Sequence, residues 1–428
     1  MPKRFRLSVV TRGALAAVLA AVVSHFHGPA LAQSADILER TAEQTTRAEE
    51  ERAKREAKAI KLVPERRGKI EAFLYKIDED LILQRIFNPP RGFHARAGGI
   101  GEGGGFGGGA GYQFTSVPFD FRASAAASLK GYLIAEGSLR FPGTQSESVY
   151  TWANGPYVEV YARRRDSPQE DFFGLGPGSL EDDRSNFALR DTFVRVTPAV
   201  RRGYLTAGVN LGYLDPSIGS GADESLPSTD EIFGPAEVPG LEIQPAFGVI
   251  EPFVEFATLD RAIEDRAGGR YRVTFTRYAD RDLYQFSFNQ WNVDLRQFIP
   301  FVHDTHTLAL RAWASSSDPM DGDSVPFYLQ PTLGGSRSLR GYRTFRFRDR
   351  SALLFQGEYR WRINEFVTGA LFYDTGAVAP ELGDIGRFER DYGFGLRAGS
   401  RSAVALRMDV AFGGREGTRF LVRFDDVF

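Results

Sequence analysis

Few side chains in this sequence could carry out catalysis. The chain has five histidines and no cysteine, which excludes thiolate nucleophiles, Cys-based metal sites and disulfides. Two histidines that could act as a general base, His303 and His306, flank Asp304 at the start of a predicted strand, where solvated polar residues are common. Neither these residues nor His94 follow an order of serine, histidine and carboxylate that is typical of a barrel lipase or protease. The sequence therefore predicts no catalytic residue, no metal site and no cofactor.

A glycine-rich run at 98–111 contains the spacing G-x-G-x-x-G at Gly99, Gly101 and Gly104. A nucleotide-binding motif of this kind needs a preceding strand and a following helix. Here the run is followed by another segment in which apolar and polar residues alternate. We therefore do not expect it to bind a nucleotide.

Residues 1–32 have the features of a secretory signal peptide. A basic start that ends at Arg6 precedes an apolar run over 13–23, and Ala30–Ala32 is a cleavage site of small residues. The apolar run is too short for a retained membrane anchor, which needs roughly 18 apolar residues. We expect the chain to be exported, with Gln33 at the mature N-terminus.

Residues 33–91 are predicted to form a charged periplasmic segment. Acidic and basic side chains at helical spacing over 34–62 favour a solvated helix or a disordered linker. An apolar helical stripe follows, made of Ile70, Phe73, Leu74, Ile77 and Leu81. We expect this amphipathic helix to pack at the periplasmic mouth of the next domain or in the membrane interface.

From residue 92 to 428 the apolar and polar residues alternate with a period of two. Leu406 and Met408 share one face of a predicted strand, for example, and Arg407 and Asp409 share the other. A soluble sandwich also alternates, but a charged second face is better suited to a water-filled lumen. No later apolar run is long enough for a transmembrane helix. The sequence therefore predicts an all-β fold, a transmembrane antiparallel barrel in the outer membrane of a Gram-negative bacterium.

About sixteen segments between 93 and 427 have this alternation, an even number as expected when both ends of a barrel are periplasmic. The connections at Thr197–Ala199 and 364–365 are short, which is typical of periplasmic turns. Those at 214–240 and 317–350 are long and fall on the extracellular side. Outer-membrane lipid and lipopolysaccharide are then the expected surroundings of the barrel.

The glycines at the start of the barrel could have a structural role. Glycines weaken strand pairing, so Gly99, Gly101 and Gly104 in or near the first strand could form a soft lateral seam with the last strand, which ends at Phe428. Simple β-bulges and tight barrel curvature account for the same glycines equally well. The sequence leaves both interpretations open.

The segment Gly334–Tyr342, with the sequence GGSRSLRGY, is the most specific in the chain. It resembles the (V/L)-R-G-(F/Y) element in the sixth extracellular loop of the BamA/TamA outer-membrane assembly superfamily, also called the bacterial surface antigen family. Two further elements of that family follow in order, Gly357–Glu358 on the next predicted strand and Phe372–Gly376 (FYDTG) on the one after. The resemblance covers residues 92–428.

The resemblance implies that the loop carrying Arg340, Gly341 and Tyr342 folds back into the barrel. In that family the arginine meets a carboxylate, which would be Glu358, and an aromatic-x-Asp-x-Gly element, which would be Phe372, Asp374 and Gly376. Alternation independently places both carboxylates and the phenylalanine on the lumen side. A guanidinium bonded to two carboxylates and stacked on an aromatic ring would offset the entropy lost by ordering the loop.

The alternative is that Arg340 is one of several exposed loop cations that face lipopolysaccharide phosphates. Arg343 and Arg348 are expected to be of this kind, so replacing either should have little effect on stability.

The resemblance also implies a function, the insertion or translocation of proteins or lipids at the outer membrane, with unfolded outer-membrane proteins as clients. Family members usually carry periplasmic POTRA modules, and the segment 33–91 is too short for one. We therefore expect the chain to lack them, which leaves room for a separate periplasmic partner. The alternative is a passive pore or a structural barrel without client handling. The net charge of −2 becomes −6 without the four cations of the signal peptide, and no basic stripe suggests a nucleic-acid partner.

Overall fold

The computed structural model describes residue 89 and residues 91–424, apart from 117, 143–153, 259–266, 303–304, 365, 401–402 and 415. The predicted signal peptide, the charged linker, the amphipathic helix and Phe428 lie outside these residues. Within the described part of the chain, no helix combines the length and the apolar character that crossing a bilayer requires.

Sixteen strands form one antiparallel sheet, in which each strand pairs with its neighbours in sequence. The prediction of about sixteen strands is confirmed. The strands are β1 (Arg91–Gly99), β2 (Phe106–Thr115), β3 (Asp120–Ser128), β4 (Leu133–Phe141), β5 (Gly155–Phe172), β6 (Ser185–Arg202), β7 (Leu205–Ser220), β8 (Phe247–Ala257), β9 (Gly268–Asp280), β10 (Phe288–Phe301), β11 (His306–Pro319), β14 (Ser351–Arg362), β15 (Val367–Ala379), β16 (Glu389–Ser400), β17 (Ala403–Gly413) and β18 (Gly417–Arg423). Two short strands, β12 (Thr332–Leu333) and β13 (Phe347–Arg348), form a separate ribbon in the connection between β11 and β14.

The predicted alternation places the charged face inside the barrel. On β17, Arg407 and Asp409 are fully buried, whereas Met408 between them is partly exposed. On β14, Glu358 is buried and Phe355 is 43% exposed on the other face. Because the outward face is apolar and the inward face is charged, the sheet has the polarity of a barrel wall between lipid and a polar lumen.

One predicted turn is wrong. Thr197–Ala199 was expected to connect two strands, but β6 continues through it and turns at 203–204. Pro198 has no N–H to donate, and it lies where the ladder between β6 and β7 skips from Val196 to Ala199. The strand therefore tolerates a proline that, in the sequence, is typical of a turn.

Three long connections pack together at one end of the sheet. They are the β5–β6 connection (173–184), the β7–β8 connection (221–246), which contains the short helix α1 (Thr229–Ile232), and the β11–β14 connection (320–350). Their shared apolar cluster, here called the cap, contains Phe172, Phe187, Leu189, Val238, Leu241, Phe327 and Tyr328. The cap covers the lumen at the end where the long connections lie.

The topology predicts which end of the barrel faces the cell exterior. Single cysteines replacing Glu224 and Asp321, both exposed in the long connections, should react with a membrane-impermeant thiol reagent on intact cells. A cysteine replacing Tyr204, which is 61% exposed in the opposite turn, should react only after the outer membrane is opened. The native chain has no cysteine, so it supplies the unlabelled control. Labelling in the reverse order would contradict the assigned direction of the strands.

Candidate functional site

The connection between β11 and β14, here called the long loop (320–350), folds back against the inner face of the barrel wall. Its apolar side chains form a cluster with β14 and β15, made of Leu333, Leu339, Tyr342, Phe347, Ala352, Leu354 and Val378. Gly334 has φ +108°, and a Cβ there would lie 2.1 Å from the carbonyl oxygen of Arg343. Only glycine fits this turn, which brings the following residues into the lumen.

Arg340 lies at the tip of this turn, between two carboxylates. Its Nε and one terminal nitrogen donate to the two oxygens of Asp374, at 2.7 and 2.9 Å. The other terminal nitrogen donates to Glu358 at 2.6 Å. The guanidinium carbon lies 3.4 Å from the centre of the Phe372 ring. We call Arg340, Glu358, Phe372 and Asp374 the arginine lock.

The charged groups of the lock are completely buried. The side chains of Arg340, Glu358 and Asp374 all have 0% exposure. Charged groups are stable in such a place only when they are paired and hydrogen bonded. Removing each ion from water on burial costs roughly several kcal/mol of hydration free energy. The bidentate geometry with Asp374 supplies short charge-assisted hydrogen bonds of the kind that compensate for this loss.

Further ion pairs surround the lock. Glu358 also accepts from Arg360 at 2.8 Å and from Arg397 at 3.0 Å. Arg397 in turn lies 2.5 Å from Asp409, which also pairs with Arg407 at 3.2 Å. The network therefore links the long loop to β14, β15, β16 and β17. Sequence reasoning placed Arg407 and Asp409 on the charged face but did not connect them to Arg340.

The remaining motif residues allow close approach. A Cβ on Gly341 would lie 2.4 Å from the Cα of Gly413 on β17, and a Cβ on Gly376 would lie 2.9 Å from Leu333 of the long loop. Tyr342 donates its hydroxyl to Glu389 at 2.9 Å. The two glycines therefore let the backbone of the loop and the wall come into contact.

The long loop also contacts the two hairpins at the ends of the sheet. Glu416, in the turn between β17 and β18, accepts a hydrogen bond from the backbone N–H of Arg343 at 3.1 Å and pairs with Arg346. Glu102, in the connection between β1 and β2, lies 3.5 Å from Arg337. One loop thus binds both the first and the last hairpin of the barrel.

The neighbouring loop arginines differ from the expectation. Arg348, predicted to be an exposed cation, is only 3% exposed and packs within the cap, so that prediction is wrong. Arg346 is also buried. Arg343 keeps 38% of its side chain exposed and pairs with Glu181. The packing of a long loop depends on contacts far away in sequence, which local charge does not reveal.

No hydrogen-bonded ladder joins β1 to β18 among the described residues. The two strands are nevertheless close, because a Cβ on Gly98 would lie 3.1 Å from the Cβ of Phe424, and one on Gly99 would lie 2.9 Å from the guanidinium of Arg423. We call this junction the seam. Gly101 and Gly104 lie in the connection after β1 rather than beside β18.

Replacing the central residue of the lock tests its energetic weight. Arg340→Ala leaves two buried carboxylates without their partner, which should destabilise the barrel by about 3–5 kcal/mol. Arg343→Ala is the matched control, because an exposed pair contributes about 0–1 kcal/mol. Heat-induced unfolding on semi-native gels should show a clear loss for the first variant and little change for the second. Equal unfolding temperatures would mean that the lock does not stabilise the barrel.

The geometry of the lock predicts how other variants behave. Asp374→Asn should resemble Arg340→Ala, and the double variant should lose less than the sum of the two because they remove one interaction. Arg340→Lys should unfold at an intermediate temperature, since lysine keeps the charge but not the planar fork or the stacking on Phe372. Additive losses in the same gel assay would argue against a direct interaction.

Comparison with known proteins agrees with this geometry. Residues 262–420 match the Omp85 superfamily domain. The structure is similar to that of BamA from Haemophilus ducreyi lacking POTRA domains 1–3, with 13% identity, a TM-score of 0.56, and coverage of 78% of this chain and 70% of that one. It is also similar to CdiB from Escherichia coli, with 14% identity, a TM-score of 0.50, and coverage of 77% of this chain and 62% of that one. No curated protein matches the sequence. The chain therefore carries an Omp85 superfamily domain at residues 262–420, within an antiparallel barrel that has the fold of BamA.

Proposed function

We propose that this chain resides in the outer membrane and inserts or translocates proteins or lipids there, without acting as an enzyme. The observation that carries the proposal is the combination of a filled lumen with a seam that lacks a strand ladder among the described residues. A filled lumen disfavours passage straight through the barrel. A weak seam favours passage sideways, between the lumen and the lipid.

The filled lumen argues against a passive pore. The cap closes the end with the long connections through tightly packed aromatic rings, including Phe172, Phe187 and Phe327. Below it, the arginine lock fixes the long loop to the barrel wall. A steady pore needs a continuous aqueous path, and both features obstruct one.

The seam is the place where the wall opens at the lowest cost. The edge of a strand inside a bilayer must pair with another strand, because each backbone N–H or C=O group without a hydrogen bond in lipid costs roughly several kcal/mol. Elsewhere in the described sheet, separating two strands breaks a long ladder, such as the one between β5 and β6. At the seam, the side chains of Arg423 and Phe424 approach Gly98 and Gly99, and the Phe424 ring packs on that of Phe106 at 5.1 Å between centroids. An edge exposed there could pair with an incoming strand of a client by β-augmentation.

The long loop is positioned to control this opening. It holds the first hairpin through Arg337 and Glu102 and the last hairpin through Arg346 and Glu416. Movement of β18 away from β1 must therefore break one of these pairs or move the loop. We infer that the arginine lock keeps the loop in place and so keeps the seam closed at rest.

The proposal implies partners of two kinds. Unfolded outer-membrane proteins are the clients that a lateral opening in a β-barrel would serve. A separate periplasmic protein would deliver them, and lipid and lipopolysaccharide surround the outward apolar face.

A reversible cross-link across the seam tests the proposal. Gly98→Cys with Phe424→Cys should form a disulfide, because a β-carbon built on Gly98 lies 3.1 Å from that of Phe424 and a small outward shift brings the pair to the roughly 3.5–4.5 Å that a disulfide spans. Proteoliposomes containing the chain should speed the insertion of an unfolded eight-stranded outer-membrane barrel. The oxidised variant should insert this client at least about tenfold more slowly than the wild type, which corresponds to about 1.4 kcal/mol in the barrier. Adding reductant should restore the insertion rate.

The matched control is a disulfide between Ala95→Cys and Ala110→Cys, which face each other on β1 and β2, two strands already paired. This cross-link should leave insertion unchanged in both redox states. Full activity of the oxidised seam variant would exclude lateral opening. No stimulation by the wild-type chain, together with steady conductance in planar bilayers, would instead favour a passive pore.

A further inference from the structure

A cavity of about 240 Å³ lies between the inner wall and the long loop, next to the cap. Its wall contains both charged and polar side chains, among them Arg165, Glu170, Tyr328, Gln330 and Arg348. The arginine lock is not part of this wall.

Arg348 is a buried cation without an ionic partner among the described residues. It is 3% exposed, and it donates one hydrogen bond, to the carbonyl oxygen of Phe327 at 2.7 Å. Its Nε has no hydrogen-bond acceptor in the described structure. The rings of Phe172 and Phe187 lie 5.7 Å from its guanidinium carbon. Aromatic faces attract a cation, but they do not neutralise it.

Two more polar atoms of the same wall are without partners in the described structure. The hydroxyl of Tyr328 and the side-chain oxygen of Gln330 are buried and make no hydrogen bond, although the residues are only 8% and 7% exposed. An orphaned buried polar group costs about 1–3 kcal/mol. Water could satisfy the hydroxyl and the amide, but it supplies no charge to balance the guanidinium.

Nearby acids do not balance Arg348. Glu170 lies on the same wall, yet it forms no ion pair with Arg348 in the described structure, and burial lowers the pKa of Arg348 to about 10 despite the attraction of Glu170. On the adjacent wall, Arg163 and Arg165 share the single carboxylate of Asp191. Glu102 also lines the cavity and pairs with Arg337 at 3.5 Å. Four guanidinium groups around the cavity, those of Arg163, Arg165, Arg337 and Arg348, therefore face three carboxylates, those of Glu102, Glu170 and Asp191.

We propose that this cavity binds a small free oxyanion, carrying a phosphate or carboxylate group, with Arg348 as its ionic partner and the Tyr328 hydroxyl as a second donor. A guanidinium binds such groups through paired hydrogen bonds, and Nε of Arg348 is available for one of them. The volume suits a small anion with a few waters but not the acyl chains of a lipid. The site is separate from the arginine lock, although Glu102 of the first hairpin also lines it, and its occupation would stabilise the capped state of the barrel.

Titration calorimetry on the purified full chain in detergent micelles tests this site. Inorganic phosphate, or acetate as a carboxylate, should bind at one site per chain at millimolar concentration or below. Arg348→Gln should weaken the affinity at least about tenfold. Arg350→Gln is the matched control, since it removes a cation from the same loop that does not line the cavity, and its affinity should equal that of the wild type.

Tyr328→Phe keeps the ring in the cap and removes only the hydroxyl, so it should fold and should weaken binding about fivefold. If Arg348→Gln does not fold, the affinity of Tyr328→Phe for phosphate tests the proposal by itself. Absence of binding to the wild type, or unchanged affinity in Tyr328→Phe and Arg348→Gln, would overturn the proposal. Vesicles of phosphatidylglycerol should not compete with phosphate; competition would assign the site to a lipid headgroup and overturn a free anion as its ligand.

Discussion

The structure depends on one buried interaction, the guanidinium of Arg340 held between Glu358 and Asp374. A loop of about thirty residues would otherwise be free above the barrel, and ordering it costs conformational entropy. Placing a charge on the loop and its counter-charges on the wall makes the docked position specific, since a displaced guanidinium would leave carboxylates buried and unpaired. The apolar packing of the loop against β14 and β15, the two bridged hairpins and the closed lumen all require this docked position.

The barrel wall and the contents of its lumen were predictable to different degrees. Strict alternation in segments such as 404–412 identified the strands and the face on which Arg407 and Asp409 lie, because a period of two is a local property of the backbone. Pro198 misled the prediction because the chemistry of proline suits both a turn and a gap in a ladder. The neighbours of Arg340 were identified through resemblance to a family rather than through physical reasoning. Arg346 and Arg348 are buried, and Arg397 bridges Glu358 and Asp409, because of contacts between segments that are distant in sequence. No local sequence pattern predicts such contacts.

The barrel is also uneven in how its strands are joined. Ion pairs between side chains connect β14 to β17 on the lumen side, in addition to the backbone ladders. No backbone ladder joins β1 to β18 among the described residues. Ion pairs also join strands elsewhere in the wall, such as β5 to β6 through Arg163 and Asp191 and β10 to β11 through Asp294 and Arg311. Deformation should therefore localise at the seam rather than spread around the circumference.

The arginine lock has a consequence for the way the barrel is assembled. Its carboxylates lie on strands that follow Arg340 in the chain, and Gln356 is the register partner of Asp374 across β14 and β15. A slip of one residue between these strands would turn one set of side chains toward the lipid, and the guanidinium would then lack a second acceptor. The loop can dock fully only when the C-terminal strands have reached their native register. The docked position of Arg340 and the register of β14 and β15 therefore depend on each other, although the strands follow the loop in the chain.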